Sequence, residues 1–507
     1  MNQTTVFSLL ERHLGSRVAF AAPDRSPLDH EGLRRQVAET GRALADLGIG
    51  RGDRVAIVLP NGPEAASSFL AIAAWVSTAP LNPAYKPDEF AFYLDDLRAA
   101  ALIVAEGDST PALAVARDRR LPVLSLRQGP KAGQFSLQGA SARAPTSLQP
   151  TAADDEALVL HTSGTTSRPK IVPLCQRNLA ASARHIAVTL ALSGDDRCLN
   201  VMPLFHIHGL IAAVLSSLSV GGSVYCTPGF NALKFFAWLD DAAPSWYTAV
   251  PTMHQALLAR AERNADVIAR RPLRFIRSSS ASLPPPVMLQ IEKTFHAPVI
   301  ESYGMTEAAH QMASNPLPPR ARKPGSVGPA AGPAVAIMDE AGRLQASGVI
   351  GEVVIRGPNV TKGYENNPNA NAEAFTDGWF RTGDQGVIDG DGYLTITGRI
   401  KELINRGGEK ISPREVDDVL LDHPAVAQAV TFAMPHAMLG EDIAAAVVLR
   451  NGQKTSERDL RDFVGERLTA FKVPRKIVFL EEIPKGATGK VQRIGLATRL
   501  GLAGNEP

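Results

Sequence analysis

At 507 residues the chain exceeds what one compact core supports, so two or more domains are expected. Hydrophobic residues at 45% and charged residues at 21% describe an ordinary soluble globular protein, and 53 basic against 51 acidic side chains leave +2. That balance gives no electrostatic footing for a nucleic-acid or membrane-surface partner.

Met-Asn-Gln-Thr-Thr opens the chain with no basic segment leading into an apolar one, so no secretory signal is read. Leu33, Val37, Gly41, Leu44 and Leu47 recur at helical spacing, and Gly48 ends that helix. Val55 to Leu59 is a continuous apolar strand closed by Pro60-Asn61. Helices are expected from about Glu64 to Val76 and around Asp88 to Leu97, then a strand from Leu102 to Ala105. Continuous apolar strands separated by helices indicate a parallel sheet covered on both faces. The longest apolar run, near Phe69 to Val76, is too short to span a bilayer.

From about Arg127 to Asp155 the sequence is polar and rich in Gly, Ser, Pro and Gln, which predicts a surface connection. Helices and strands alternate again from Ala157 to about Ile300. Short strands and many turn residues between Val327 and Ile396 indicate a β-rich subdomain. Ser412 to Leu421 reads as a helix opened by Ser-Pro at its cap. Cys175, Cys198 and Cys226 are odd in number and far apart, form neither a metal pattern nor a disulfide framework, and predict buried thiols in a reducing compartment. The last residues, Gly-Asn-Glu-Pro, are no peroxisomal signal, so a cytoplasmic location is expected.

The strand Ala157 to Leu160 runs into His161-Thr162-Ser163-Gly164-Thr165-Thr166-Ser167-Arg168-Pro169-Lys170. Small hydroxyl residues around Gly164 let backbone amides approach a polyphosphate, and Lys170 adds charge. A plain Ser/Thr-rich turn is the alternative, because this is not the GxxxxGK[ST] loop. Further runs follow: Ser302-Tyr303-Gly304-Met305-Thr306-Glu307, Trp379-Phe380-Arg381-Thr382-Gly383-Asp384, Gly398-Arg399-Ile400-Lys401-Glu402, and Pro484-Lys485 to Gly489-Lys490.

These five ordered runs resemble the adenylate-forming superfamily, which includes acyl-CoA synthetases, luciferases and peptide-synthetase adenylation domains. The resemblance implies an α/β protein whose large N-terminal domain (1–398) holds two doubly wound α/β subdomains and a β-rich subdomain. A small, mobile α+β C-terminal domain (399–507) follows, with its hinge near Lys401. It further implies that a carboxylate and ATP form an acyl-adenylate, which is passed to coenzyme A with Mg²⁺ in attendance. Joining two anions requires neutralised charge and fixed geometry.

By that resemblance Thr162, Ser163, Gly164, Thr165, Thr166 and Lys170 hold phosphates. Ser280, Ala281, Ser282, Ser302, Tyr303, Gly304 and Met305 line the nucleotide site, with Tyr303 against adenine. Thr306 bonds the α-phosphate and Glu307 holds Mg²⁺, which suits a cation that prefers few carboxylates plus phosphate oxygens. Asp384 accepts the ribose hydroxyls, for which a carboxylate is well shaped, and Arg399 contacts ribose or phosphate. Lys490 enters during adenylate formation and withdraws as the domain turns, while Gly407-Gly408 come to line the path of the thiol. His206 gates between acyl pocket and thiol channel, unless it is a satisfied structural histidine.

His206, His208, Ser279 and His310 are the candidate acyl-pocket residues. Groups of this kind suit a second carboxylate and would be left unsatisfied by an alkyl tail. No arginine or lysine is assigned to the pocket. Ser302 to Gly325, Arg356 to Tyr364 and Arg399 to Pro413 look most like the oxalyl-CoA synthetases (oxalate–CoA ligases), so oxalate is the favoured acid. Ser167 and Ile171 stand where the superfamily usually has Gly, and Asn405 where luciferase-like members carry a lysine. A short, medium-chain or aryl acid is the alternative. A catalytically silent nucleotide-binding protein is a rival of another class, although it would not need Thr306, Glu307, Asp384 and Lys490 together. A monomer or homodimer is expected, with no nucleic-acid or membrane partner.

Overall fold

The computed structural model of the chain describes residues 4–11, 13–162, 169–484 and 491–502. Among these, strands form four sheets. An eight-stranded sheet has a parallel centre, Val299–Met305, Phe275–Ser278, Trp246–Ala249, Arg197–Asn200, Ser223–Cys226 and Val18–Ala22, with His310–Ser314 and Arg25–Asp29 antiparallel at its edges. A seven-stranded sheet is built the same way around Val123–Gln128, Ala101–Ala105, Arg54–Val58, Ser77–Pro80 and Glu156–His161. Its strand Ser77–Pro80 is buried at every position, as a parallel strand covered on both faces must be.

The helix Pro63–Ala73 is buried along all eleven residues. Its sequence, PEAASSFLAIA, is mostly apolar, and its polar side chains Glu64, Ser67 and Ser68 are hydrogen-bonded within the protein rather than offered to water. One core joins its Phe69 and Leu70 to Val55 and Leu158 of one sheet and to Phe20 and Trp246 of the other. Truncating Phe69 to alanine would cost about 3–5 kcal/mol.

The segment expected to be a mere surface connection is more than that. Phe135–Gln138 pairs antiparallel with Val123–Gln128, and Ala132 and Phe135 are buried. Gln36 fastens it, accepting from Phe135 N at 3.0 Å and donating to its carbonyl at 2.8 Å. The three thiols are free and buried, as expected. No helix among the described residues is long and apolar enough to cross a membrane.

Five strands from Ala334–Met338 to Leu394–Arg399 make the antiparallel β-rich sheet. After the 3₁₀ turn Ile400–Glu402 comes a small α+β unit. Its sheet carries the helices Pro413–Leu421 and Glu457–Gly465 over a core of Ile404, Val416, Leu420, Ile443 and Leu460. Ser412 stands at the N-cap but makes no cap hydrogen bond, contrary to the sequence expectation. Its hydroxyl donates instead to the Thr397 carbonyl, and Arg414 donates to the Ile396 carbonyl. The cap position is used to dock the small unit on the β-rich sheet.

Candidate active site

The strand Val299–Met305 and the turn Thr306–Ala308 carry the run Ser302 to Glu307. Gly304 has to be glycine. A Cβ there would lie 1.8 Å from the His310 carbonyl oxygen, so a side chain would force apart the hairpin that brings His310 back beside Gly304. Tyr303 donates its hydroxyl to Asp384, and Arg399 pairs with the other Asp384 oxygen at 3.1 Å. Asp384 and Arg399 are cross-strand partners in register, so the β-rich sheet sets their pairing. The structure thus brings together three residues that lie in separate sequence motifs.

Thr162 and Lys170 clasp each other across the stem of the Ser/Thr-rich loop. Thr162 N donates to Lys170 O at 2.9 Å, and Lys170 N donates to Thr162 Oγ1 at 3.0 Å. Ser163, Gly164, Thr165 and Thr166 lie outside the described residues, as does Lys490. Just beyond Lys490, Arg493 pairs with Asp417 at 2.6 Å and Glu402 at 3.3 Å, and donates to Thr431 O at 2.9 Å.

Glu307 is buried, and burial raises its pKa. Its Oε1 accepts from the Tyr364 hydroxyl at 2.8 Å, and the Lys170 ammonium lies 4.5 Å from the centre of the Tyr364 ring. One tyrosine therefore links the candidate metal ligand to the candidate phosphate cation. Tyr364 closes the run Arg356 to Tyr364, and nothing in its sequence neighbourhood signals this link. A buried carboxylate with no lysine or arginine within salt-bridge distance among the described residues, beside the candidate phosphate cation, fits Mg²⁺ held mainly by phosphate oxygens.

The candidate acyl region holds a residue that the sequence motifs do not contain. Arg277, on the strand Phe275–Ser278, is fully buried. Its Nη1 lies 3.4 Å from His208 Nε2 and 3.2 Å from His310 Nε2, and Nη2 donates to Gln311 Oε1 at 3.5 Å. Among the described residues Nε has no hydrogen-bond partner and no carboxylate forms a salt bridge with the group. Burial lowers its pKa to about 9, so it remains a cation at neutral pH. Because a guanidinium only donates, the imidazole nitrogens that face it carry no hydrogen.

His208 opens a π-helical turn, His208–Leu215, of a kind often found at functional sites. Its Nε2 meets the Thr248 hydroxyl at 2.6 Å, its Nδ1 meets the Ser280 hydroxyl at 3.0 Å, and its ring lies 4.9 Å from that of His310. Ser280 (φ +71) and His310 (φ +102) both have left-handed backbone, a strain of about 1–3 kcal/mol each that the surrounding structure must hold. His208 and His310 thus meet at Arg277, and Ser280 is joined to them through His208 Nδ1.

Other candidates are placed differently. Ser279 is buried with its hydroxyl donated to Ser302 O at 3.0 Å, and Ser302 Oγ donates to Ser278 O at 3.4 Å; both hydroxyls tie neighbouring strands together. Ala281 and Ser282 are exposed. His206 is half-buried and its Nδ1 accepts from His208 N at 3.4 Å. Beside it Phe205 lines a cavity of about 250 Å³ with Leu59, Leu81, Pro203 and Phe230. Lys401 is exposed, and Gly407 (φ +60) and Gly408 (φ +100) form an exposed turn. Asn405 Oδ1 accepts from Gly408 N at 3.1 Å, so the residue shapes that turn.

Residues 10–365 match the family model described as AMP-binding enzyme, and residues 415–490 match that of the AMP-binding enzyme C-terminal domain. The chain is 44% identical over 504 residues to an oxalate–CoA ligase of Arabidopsis thaliana, covering 97% of this chain and 98% of that one. An oxalate–CoA ligase of Saccharomyces cerevisiae is 43% identical over 470 residues, covering 87% and 86%. A sulfoacetate–CoA ligase of Cupriavidus necator is 38% identical over 471 residues, covering 92% and 91%. Among solved structures, ATP-bound MatB from Rhodopseudomonas palustris superposes with a TM-score of 0.89 at 29% identity, over 98% of this chain and 99% of that one.

Proposed function

The chain belongs to the AMP-binding enzyme family, and from that premise we propose that it joins oxalate to coenzyme A, with ATP giving AMP and diphosphate. As a member it is an acid–thiol ligase that works through an acyl-adenylate. The observation that carries oxalate as the acid is Arg277. A buried guanidinium with no anion is costly, and the second carboxylate of a small diacid supplies the missing charge. His208, His310 and Ser280 complete a short polar pocket in which an alkyl chain would strand several donors and acceptors.

In this reading Tyr303 packs on adenine while Asp384, held by Tyr303 and Arg399, turns to the ribose hydroxyls. Thr306, Lys170 and the loop Ser163 to Thr166 hold the phosphates. Glu307 holds Mg²⁺, which when bound neutralises charge on the phosphates. The carboxylate on the side away from Arg277 attacks the α-phosphate and expels diphosphate. Lys490, reaching in from a C-terminal domain of residues 399–507, steadies the charge on the transferring oxygens. Turning about Lys401 then withdraws Lys490 and presents Gly407-Gly408. The thiol sulfur attacks the acyl carbon and AMP leaves, with the cavity beside His206 and Phe205 as the way in.

The deciding experiment is AMP release with coenzyme A and, in turn, oxalate, malonate, sulfoacetate, acetate, hexanoate and coumarate. Oxalate should give the highest kcat/KM. A dianion other than oxalate is the second reading, which the sulfoacetate–CoA ligase at 38% identity favours. Preference for hexanoate or coumarate would overturn both.

A further inference from the structure

Gln311, the amide partner of Arg277, has its orientation fixed from behind. Gln311 is fully buried next to His310. Its Nε2 donates to Thr189 Oγ1 at 3.0 Å and to the Ala331 carbonyl at 3.0 Å. The Thr189 hydroxyl already donates to His185 O at 2.7 Å, so towards Gln311 it presents only an acceptor. Two acceptors on one side decide which end of the amide is nitrogen, and the oxygen is left facing Arg277 Nη2 at 3.5 Å. The main chain is held too, since Asn359 Nδ2 donates to Gln311 O at 2.9 Å.

We infer that Gln311 is a specificity-determining residue, a neutral amide that holds the Arg277 guanidinium without cancelling its charge, so that the acid itself must bring the second anion. A glutamate at 311 has almost the same shape and would place a carboxylate at the same nitrogen. Arg277 would then be paired within the protein, and the site would lose its demand for a dianion. This selects against monoanionic acids of the right size by leaving a buried cation unmatched whenever one binds. The inference rests on the reading of Arg277 as the group that meets the distal carboxylate.

The test compares oxalate with oxamate, its monoanionic half-amide of nearly equal size, and malonate with malonamate, by ATP–diphosphate exchange on the full-length chain. Wild type should prefer the dianion. Gln311→Glu should lower the dianion-to-monoanion ratio of kcat/KM on the order of 100-fold, the worth of a charge-assisted contact. Gln311→Met, which keeps volume and adds no charge, should weaken both acids while keeping the preference. Equal losses on both acids in Gln311→Glu would reduce Gln311 to packing and overturn the inference. Gln311→Met losing the preference as completely as Gln311→Glu would overturn it as well. Should Gln311→Glu not fold, the cycle of Gln311→Met with Arg277→Met decides: the loss in oxalate kcat/KM caused by Gln311→Met must vanish once Arg277 is gone, and persistence refutes coupling between them. A wild type indifferent to the second charge in both pairs would defeat the Arg277 reading itself. Preference in the malonate pair alone would replace oxalate and leave Gln311 to be judged on that pair.

Discussion

Tyr364 gives its hydroxyl to Glu307 at 2.8 Å while the face of its ring lies 4.5 Å from the Lys170 ammonium. The two groups proposed to meet the metal and the triphosphate are thus fixed relative to each other by a side chain from a third segment. Tyr364→Phe keeps the ring and frees the carboxylate. The expected loss is about 1–1.5 kcal/mol in kcat/KM for ATP, with more Mg²⁺ needed for half-maximal diphosphate exchange. A magnesium titration of wild type and variant checks it, and superimposable curves would end the idea.

Arg277→Met should act on binding and stability in opposite directions. Oxalate use should fall by about 2–5 kcal/mol, because the distal carboxylate loses a buried partner. The ligand-free protein should be as stable as wild type or up to about 4 kcal/mol more so, because an unmatched interior charge has gone. Thermal melts with and without oxalate read both effects. His310→Ala, at the edge of the same cluster, should cost oxalate use about 1–3 kcal/mol, and an unchanged kcat/KM would remove it from the pocket.

Glu301 links stability to pH. Its Oε1 accepts from Leu283 N at 3.0 Å, while Oε2 is buried without a partner among the described residues. Burial pushes its pKa up to about 7, against the pull of Arg414 and with a further push from Asp418. Asp418 is itself raised to about 6 by burial, opposed by Arg414 and aided by Asp417. Arg493 and Asp422 add their charges to Asp418 from the same small unit. A carboxyl with a raised folded-state pKa binds its proton more tightly when folded. Stability should therefore fall as pH rises from the ordinary carboxylate value to about 7. Glu301→Gln should match wild type near pH 4.5 and exceed it by about 2–3 kcal/mol at pH 8. Denaturant melts across that range decide, and parallel pH profiles would refute the assignment.

Lys490→Ala should abolish adenylate formation and spare thioester formation from supplied acyl-adenylate. Rapid-quench measurement of each half-reaction separates the two. Equal loss in both would contradict a role confined to the first step.

Much of the architecture was legible because parallel strands must be apolar throughout, as Val55 to Leu59 is, and because runs such as Ser302 to Glu307 keep their chemistry in consecutive residues. Arg277 was not legible. It sits in a four-residue strand, and its partners lie 69, 33 and 34 positions away, so only the folded sheet shows the charge without an anion. Ser412 misled for a related reason: its type suits a helix cap, but a carbonyl from the neighbouring sheet takes the hydroxyl first. Phe135 was hidden by polar neighbours, since two buried side chains do not make a periodic signal.

The helix Pro63–Ala73, wetted on no side, has a consequence for how the molecule can be taken apart. Its neighbours come from both large sheets, so neither sheet owns a complete interior. Recombinant pieces cut between them should be insoluble when made singly, and calorimetry should find one melting event for the pair where the order of the chain alone suggests two.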